Sequence, residues 1–336
     1  MRLKFQSDAE KKWNPDGFHF LGIEESKKRR IILAKIYNYF ENRGYSEVIP
    51  PAFDFTSSFQ NHVIDTDRDK ILKTRDSNGV ELSPSLDLTI QVVKGLAGYN
   101  TPESSMKVFY IGRVIKDLDG LSGERREFTQ AGAEIIGGND SNTILQILEL
   151  IDGLLNELNI PQKITLVLGN LNIVISILEK LNIEKDLNPY LLSAIITKNK
   201  YEIENLLKKY PSSDLKELLI TLLLNFDQIE VIPKLKNIDK KYSMNLGNII
   251  NETENILDKA ISSFNKIDLC IDFSLIRDLD YYTGFIFHGY IDGISNPILT
   301  GGAYDSLFEK FSGKEKKSSG FAFNVDIYED TIDSKN

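Results

Sequence analysis

The chain has 336 residues, with 49 acidic side chains against 40 basic ones and a formal net charge of -9. An excess of negative charge repels polyanions, so the composition does not indicate a protein that binds DNA or RNA, although it leaves a local basic groove open. The sequence shows one cysteine, no apolar run of membrane-spanning length and no signal-peptide core at its N-terminus, so we expect a cytoplasmic protein without disulfides or a metal site.

The first predicted elements are a helix and a short strand. Apolar residues at helical spacing begin near Glu24, and the helical pattern ends at Gly44. The strand that follows closes with Pro50 and Pro51, so it cannot continue as a central strand of a sheet. This compact unit could pair with a second copy of the chain at an exposed edge, or it could only cap the sheet, and the residues alone favour neither use.

A second helix is predicted to begin at Asp87, two residues before Thr89. An acidic residue at a helix start is a common N-cap, because its side chain accepts a hydrogen bond from a free backbone N-H. Asp87 and Thr89 could also offer a carboxylate and a hydroxyl to a ligand that carries an ammonium group. Both interpretations stay open at this point.

Two strands are predicted at residues 108–115 and 127–137, joined by a polar loop. Gln130 and Glu134 are four positions apart in the second strand and therefore lie on the same face of a sheet. The small residues between them, including Gly132, leave space for a ligand. A solvated sheet face could show the same pattern, so a functional interpretation needs support from the rest of the chain.

The chain between residues 174 and 257 differs from the parts on either side of it. It contains long helical patterns rich in Lys, Leu and Ile, and it has no glycine before Gly247. A chain of 336 residues is also longer than one average domain. We therefore predict a helical insertion at residues 174–258, which divides a sheet domain into a first part, 1–173, and a second part, 259–336.

The most polar stretch of the second part is Arg-Asp-Leu-Asp-Tyr-Tyr-Thr-Gly at residues 277–284. It lies between two runs, residues 270–276 and 285–291, that alternate apolar and polar side chains as strands do. The stretch therefore joins the end of one strand to the start of the next, where small polar ligands are often held. The alternative is that its tyrosines only pack against the ends of the strands.

The order of these motifs resembles the catalytic fold of class II aminoacyl-tRNA synthetases in its histidyl form, over essentially the whole chain. Residues 277–284 resemble the histidine-binding signature of that group, and residues 125–134 resemble its second class motif. A Gly-Gly-x-Tyr-Asp sequence at 301–305 and a Gly-Phe-Ala sequence at 320–322 follow in the same order. The resemblance implies an α+β fold, in which an antiparallel sheet is flanked by helices and carries a helical insertion.

Departures from the synthetase pattern affect the part that would bind ATP. Lys116 stands where the second motif of a synthetase has an arginine, and lysine lacks the planar fork that binds phosphate through two hydrogen bonds. Residues 320–326 include no basic side chain where a synthetase carries a Glu-Arg pair, and Asp326 would repel phosphate. A synthetase would also need an anticodon-binding domain of roughly 100 residues after this point, and only a short tail follows.

These departures favour a second family with the same motifs, since the chain resembles the regulatory subunit of ATP phosphoribosyltransferase, a synthetase-like paralogue that has lost aminoacylation. The resemblance implies a non-catalytic protein without a cofactor that binds the short-form catalytic subunit in a hetero-oligomer and is needed for its activity. It also implies feedback inhibition of histidine biosynthesis by histidine, and we expect self-association as a dimer. A divergent amino-acid-activating enzyme and a histidine-binding module without a catalytic partner are the alternatives.

The same resemblance assigns a histidine site to Asp87, Thr89, Gln130, Glu134, Arg277, Tyr281 and Tyr282. The first three would accept hydrogen bonds from the ligand ammonium, and Arg277 would bind its carboxylate. Glu134 and Tyr282 would contact the two ring nitrogens, and Tyr281 would line the pocket. Without an imidazole in the site, Glu134 is expected to be buried and unpaired, which would exclude other amino acids. The family's Leu-Arg-Pro-Asp-x-Thr motif lacks its Arg and Pro here, so the lead-in to Asp87 differs.

Overall fold

The computed structural model describes residues 14–62, 65–99, 105–118, 125–137, 143–184, 187–211, 213–225, 229–275 and 282–333. Two of the predicted histidine-site residues, Arg277 and Tyr281, lie outside these ranges. No helix in the described ranges is long and apolar enough to cross a membrane. The same ranges include no group of three or more His, Cys, Asp or Glu side chains placed to hold a metal ion.

The strands of the described residues form two sheets. They are β1 (Ser46–Glu47), β2 (Phe53–Phe55), β3 (Thr74–Arg75), β4 (Glu81–Pro84), β5 (Met106–Ile115), β6 (Glu127–Ile136), β7 (Ile164–Asn170), β8 (Ile267–Ile271), β9 (Phe285–Tyr290), β10 (Leu299–Ala303) and β11 (Ser318–Asn324). The large sheet has the order β1-β5-β6-β11-β10-β9-β7-β8, and the small sheet has the order β2-β4-β3. Neighbours in the large sheet are antiparallel except at its two edges, where β1 pairs with β5 and β7 pairs with β8 in parallel.

Helices flank the large sheet. They are α1 (Ile23–Glu41), α2 (Thr56–Gln60), α3 (Leu88–Gly98), α4 (Thr143–Glu157), α5 (Leu171–Lys180), α6 (Asn188–Ile196), α7 (Lys200–Leu207), α8 (Asp214–Leu224), α9 (Ile232–Tyr242), α10 (Gly247–Ser263), α11 (Asp305–Ser312) and α12 (Val325–Asp333). The predicted α+β class, with helices around a largely antiparallel sheet, is confirmed.

Side chains of the central strands alternate between the two faces of the large sheet. Phe109 of β5 packs against Phe40 of α1, with ring centroids 5.3 Å apart. The next residue, Tyr110, points to the opposite face, where it contacts α3. Gln130 and Glu134 of β6 make hydrogen bonds on this second face, to Tyr110 and α3 respectively. The prediction that these two residues share a face is therefore confirmed.

The predicted edge strand occurs, and helices occupy the part of the chain where the insertion is predicted. β1 lies at one edge of the large sheet, where Ser46 is opposite Val108 of β5. The helices from α5 to α10 lie between β7 and β8, and because these strands are parallel, the helices form a crossover connection. Many of their leucines and isoleucines, such as Ile177, Leu219 and Ile256, are buried in the same hydrophobic core as the sheet. Helices extend over residues 171–263, and the division into segments at 173 and 258 stays a prediction.

Candidate functional site

The centre of the candidate site is Glu134, a carboxyl near the C-terminal end of β6 with no exposed surface. Thr89 of α3 donates a hydrogen bond to its Oε1 atom over 2.9 Å, and the hydroxyl of Tyr304 donates to Oε2. The expectation that this carboxyl is unpaired without a ligand is therefore wrong. A buried carboxyl without partners is costly, so the chain itself supplies two hydroxyl groups.

Burial also changes the protonation of this carboxyl. Loss of solvent raises the pKa of Glu134 from its ordinary 4.5 to about 8, although the hydrogen bonds from Tyr304 and Thr89 act in the opposite direction. At neutral pH most of the molecules therefore carry a protonated Glu134. A protonated carboxyl has one donor and retains acceptor capacity, so it can contact either ring nitrogen of a neutral imidazole.

Tyr110 connects Thr89 and Gln130 through hydrogen bonds, and the sequence patterns did not identify it as a site residue. Its buried hydroxyl lies 3.0 Å from Thr89 Oγ1 and accepts a hydrogen bond from Gln130 Nε2 over 3.2 Å. Its ring passes over Gly132, where an added Cβ would lie 2.3 Å from the tyrosine Cζ. The space above Gly132 therefore holds a tyrosine ring rather than a ligand, which corrects the interpretation of that glycine. Burial raises the pKa of Tyr110 well above its ordinary value, so it stays a neutral donor and acceptor.

Asp87 occupies the N-cap position of α3. Its Oδ1 atom accepts a hydrogen bond from the backbone N-H of Ile90 over 3.0 Å, so the capping interpretation is confirmed. The same side chain also lines a cavity together with Thr89 and Glu134. The two interpretations of Asp87 are therefore compatible, because the cap fixes the carboxylate at the rim of the candidate site.

The cavity at this site is small and closely lined. Its lining residues come from α3, three strands and the segments next to them, and are Asp87, Thr89, Glu134, Tyr282, Thr300, Tyr304, Gly320, Phe321 and Ala322. Gly320 is necessary here, because an added Cβ would lie 1.5 Å from Glu134 Oε2. The free volume is ≈ 10 Å³, about that of one water molecule. An amino acid can therefore enter only when lining side chains move apart.

The glycine pair of β10 lets other groups approach the site. An added Cβ at Gly301 would lie 2.3 Å from the carbonyl oxygen of Gly320 on the neighbouring strand. At Gly302 it would lie 2.8 Å from the ring of Tyr282, and the φ angle of +157° at this residue also favours glycine. The first glycine thus permits close approach of the neighbouring strand, and the second gives Tyr282 its place at the cavity.

The structure thus brings together four of the seven predicted residues around one cavity, and Gln130 contacts them through Tyr110. The sequence did not predict Tyr110, Tyr304 and Gly320. Tyr304 lies in the Gly-Gly-x-Tyr-Asp motif and Gly320 in the Gly-Phe-Ala motif, so those motifs were the signals that could have identified them.

The end of the sheet that would hold ATP in a synthetase is occupied by ion pairs. Asp326, at the start of α12, accepts hydrogen bonds from Arg29 over 2.8 Å, from Arg125 over 2.6 Å and from the backbone N-H of Thr129 over 2.6 Å. Arg29 also donates from Nε to Glu329 over 3.0 Å. These arginines are therefore neutralised by carboxylates of the chain and are poorly placed to bind phosphate.

Lys116, at the end of β5, lies close to an aromatic ring. Its Nζ atom is 6.0 Å from the ring centroid of Phe128, at the outer limit of a cation-π contact. A single ammonium group here cannot replace the bidentate phosphate contact of an arginine. The cavity around Glu134 is thus lined by buried, hydrogen-bonded groups, whereas at the other end Arg29 and Arg125 are paired with Asp326 and Lys116 offers a single ammonium group.

The sequence is similar to two groups of related proteins. Residues 17–327 match the family model of histidyl-tRNA synthetase. The chain is 42% identical over 335 residues to the ATP phosphoribosyltransferase regulatory subunit of Leptospira interrogans, which covers 99% of this chain and 97% of that protein. It is 29% identical over 333 residues to the protein of the same name from Clostridium novyi, with 95% of this chain and 76% of that protein covered.

A solved structure has the same fold. The crystal structure of an ATP phosphoribosyltransferase regulatory subunit/histidyl-tRNA synthetase from Bacillus halodurans matches with a TM-score of 0.79, covering 95% of this chain and 82% of that one. The two sequences are 20% identical, so this match establishes the arrangement of the sheet and helices and nothing about the ligand.

Proposed function

This chain belongs to the family of ATP phosphoribosyltransferase regulatory subunits, and we propose that it is the non-catalytic subunit through which histidine controls that enzyme. Its catalytic partner would be a short-form ATP phosphoribosyltransferase that needs this chain for activity. The observation that carries a sensing role is the contact of Asp326 with both Arg29 and Arg125. With these cations paired to a carboxylate, the site is suited to bind an amino acid without activating it with ATP.

The proposed ligand is histidine, bound at the cavity around Glu134. The imidazole would contact Glu134 and Tyr282, and Asp87 would accept a hydrogen bond from the ammonium group. Support for an imidazole comes from the buried carboxyl, which can share its proton with a base of similar pKa. Arg277 and Tyr281 are assigned to the carboxylate and the pocket wall through the family resemblance alone.

The direct test mixes this chain with a short-form catalytic subunit and measures formation of phosphoribosyl-ATP. We expect activity of the mixture to exceed that of the catalytic subunit alone by about tenfold, within the usual range of coupling between binding sites. Histidine should then inhibit the mixture, and this chain alone should form no product.

The control for this test is exchange of pyrophosphate into ATP by this chain alone. Histidine-dependent exchange would contradict the non-catalytic role and favour the alternative of an amino-acid-activating enzyme. Histidine binding without any effect on a catalytic subunit would favour the histidine-binding module.

Self-association as a dimer is part of the proposed function. Large apolar side chains are exposed on and near α1, β1 and β2, namely Phe20, Ile23, Ile31, Ile49, Phe53 and Phe55. Exposed apolar side chains that form a contiguous patch are typical of a surface that another protein covers. Because β1 is also a sheet edge, a second copy of the chain is the occupant that we propose.

Ile49→Asp is expected to convert the dimer to a monomer, because a charge replaces an apolar group in the buried interface. Ile49 is 81% exposed in the single chain, and Ile261 of α10, at 85%, provides a matched control on another surface. Sedimentation velocity of both variants checks the result. A dimeric Ile49→Asp variant, or a monomeric Ile261→Asp variant, would place the interface elsewhere.

A further inference from the structure

The connection between β8 and β9, residues 272–284, is held at both of its described ends by side chains of the helical segment between β7 and β8, residues 171–263, hereafter called the insertion. One end is contacted by Lys198, in the turn between α6 and α7. The other end is contacted by Asn172, in the first turn of α5. The connection includes Tyr282 at the cavity, so the two contacts link the insertion to the proposed histidine site.

The first contact joins Lys198, whose side chain is 42% exposed, to two buried polar residues, Asp272 and Ser274. The ammonium of Lys198 lies 3.1 Å from Asp272 Oδ2 and also donates to the hydroxyl of Ser274. Asp272 Oδ1 accepts a hydrogen bond from the backbone N-H of Ser274 over 2.9 Å and from its hydroxyl over 2.6 Å. Asp272 and Ser274 are both buried, so the lysine is a charged partner for a carboxylate with little access to water.

The backbone of the insertion holds this lysine in an unusual conformation. Lys198 has a φ angle of +49°, in the left-handed region that a residue with a side chain rarely adopts. It stands between Thr197, the C-cap residue of α6, and Asn199, whose side chain caps α7. The backbone of Lys198 is thus fixed between the ends of two helices, and its side chain extends from there to the buried carboxylate of Asp272.

The second contact fixes the residue that follows Tyr282. Asn172 Nδ2 donates a hydrogen bond to the carbonyl oxygen of Thr283 over 2.9 Å. The backbone N-H of Thr283 donates to Ala303 of β10, and its hydroxyl accepts from the backbone N-H of Asp305, each over 2.9 Å. Thr283 is therefore fixed between the insertion and the strand that adjoins Tyr304.

We propose that Lys198 and Asn172 are positioning residues that couple the helical insertion to the histidine site. A change in the placement of α5, α6 or α7 displaces one or both ends of the 272–284 connection and thereby changes the affinity for histidine. The cavity must open for an amino acid to enter, so the position of its walls determines that affinity. This coupling rests on the proposed function. By linkage, a partner protein that changes the placement of the insertion would alter histidine binding, and histidine would alter the binding of that partner to the same extent.

The test compares Lys198→Met with wild type, Lys198→Arg and Lys200→Met. Met keeps the apolar stem and removes the charge, Arg restores a cation, and Lys200 is a more exposed lysine of the adjacent helix. Titration calorimetry with histidine is expected to give a dissociation constant about tenfold weaker for Lys198→Met, with most of the affinity restored by Arg. The Lys200→Met variant should bind as wild type does.

Hydrogen exchange of the ligand-free proteins provides a readout that does not depend on histidine. Backbone amides of residues 282–285 should exchange about tenfold faster in Lys198→Met, and in Asn172→Ala, than in Lys200→Met. A lower melting temperature with unchanged exchange and unchanged affinity would overturn the proposal, as would faster exchange with unchanged affinity. If wild type binds no histidine, the proposed ligand is wrong, and the exchange measurement still decides whether the insertion holds this connection.

Discussion

Glu134→Gln is expected to weaken histidine binding about 100-fold, which corresponds to a loss of about 2.7 kcal/mol. Glutamine keeps the shape of the side chain and can still make a neutral hydrogen bond to an imidazole nitrogen. It cannot transfer a proton to the imidazole as a protonated Glu134 can, so the charged pair is lost, and hydrogen bonds to charged groups are about twice as strong as neutral ones. The fold should survive, because glutamine has nearly the shape of glutamate and a hydroxyl can donate or accept, so one of Thr89 and Tyr304 can donate to the amide oxygen while the other accepts from the amide NH2.

Titration calorimetry measures this loss, and Lys116→Ala is the control. Lys116 belongs to the part of the site that would contact ATP phosphate in a synthetase, so its removal should leave the histidine affinity within about twofold of wild type. A Glu134→Gln variant that binds histidine as wild type does would contradict the assignment of the imidazole to Glu134. An equal loss of histidine affinity in both variants would mean that the ligand extends to Lys116, at the C-terminal end of β5.

Local sequence patterns were sufficient to predict the parts of the site that lie on one element. The alternation of a strand places Gln130 and Glu134 on one face, and the start of a helix makes Asp87 a cap. The closing prolines identified β1 as an edge strand. Each of these conclusions depends on residues within a few positions of each other, where backbone geometry alone fixes the relation.

The partners of Glu134 could not be predicted in the same way. Tyr304 is 170 positions away from it in the chain, and no periodicity indicates which distant hydroxyl will lie above a given carboxyl. The sequence therefore predicted a buried acid but left it unpaired. The same limit explains Gly132, since its missing side chain indicates a close approach without identifying Tyr110 as the group that approaches.

The ion pairs of Asp326 show a related limit. The sequence showed an acid where a synthetase has none and predicted repulsion of phosphate. It did not show that this acid would bind Arg29, 297 positions away, and Arg125, 201 positions away. The replacement therefore does more than repel phosphate, because it also neutralises the nearest cations and ties α12 to α1 and β6.

The stability of the protein is expected to decline with rising pH because of Glu134. The pKa of Glu134 is about 8 in the folded protein, and the unfolded chain is taken to have the ordinary value of 4.5. The folded state therefore binds this proton more tightly than the unfolded state does. The resulting stabilisation is complete below about pH 4.5 and is lost as the pH rises through about 8. At about 1.4 kcal/mol per pKa unit, the full loss is on the order of 5 kcal/mol.

Urea unfolding at about pH 5, 7 and 9 checks this expectation when wild type is compared with Glu134→Gln. The glutamine variant carries no titrating proton at this position, so its free energy of unfolding should fall less between about pH 5 and 9 than that of wild type. At about pH 9 the variant should therefore be more stable than wild type. Contributions from groups that the two proteins share cancel in the difference between them. Tyr110 and Tyr304 stay protonated over this range, because burial raises the pKa of each well above its ordinary value. If the free energy of unfolding changed with pH in the same way for both proteins, Glu134 would already be ionised in the folded state. The imidazole would then bind to a carboxylate instead of sharing the proton of a carboxylic acid.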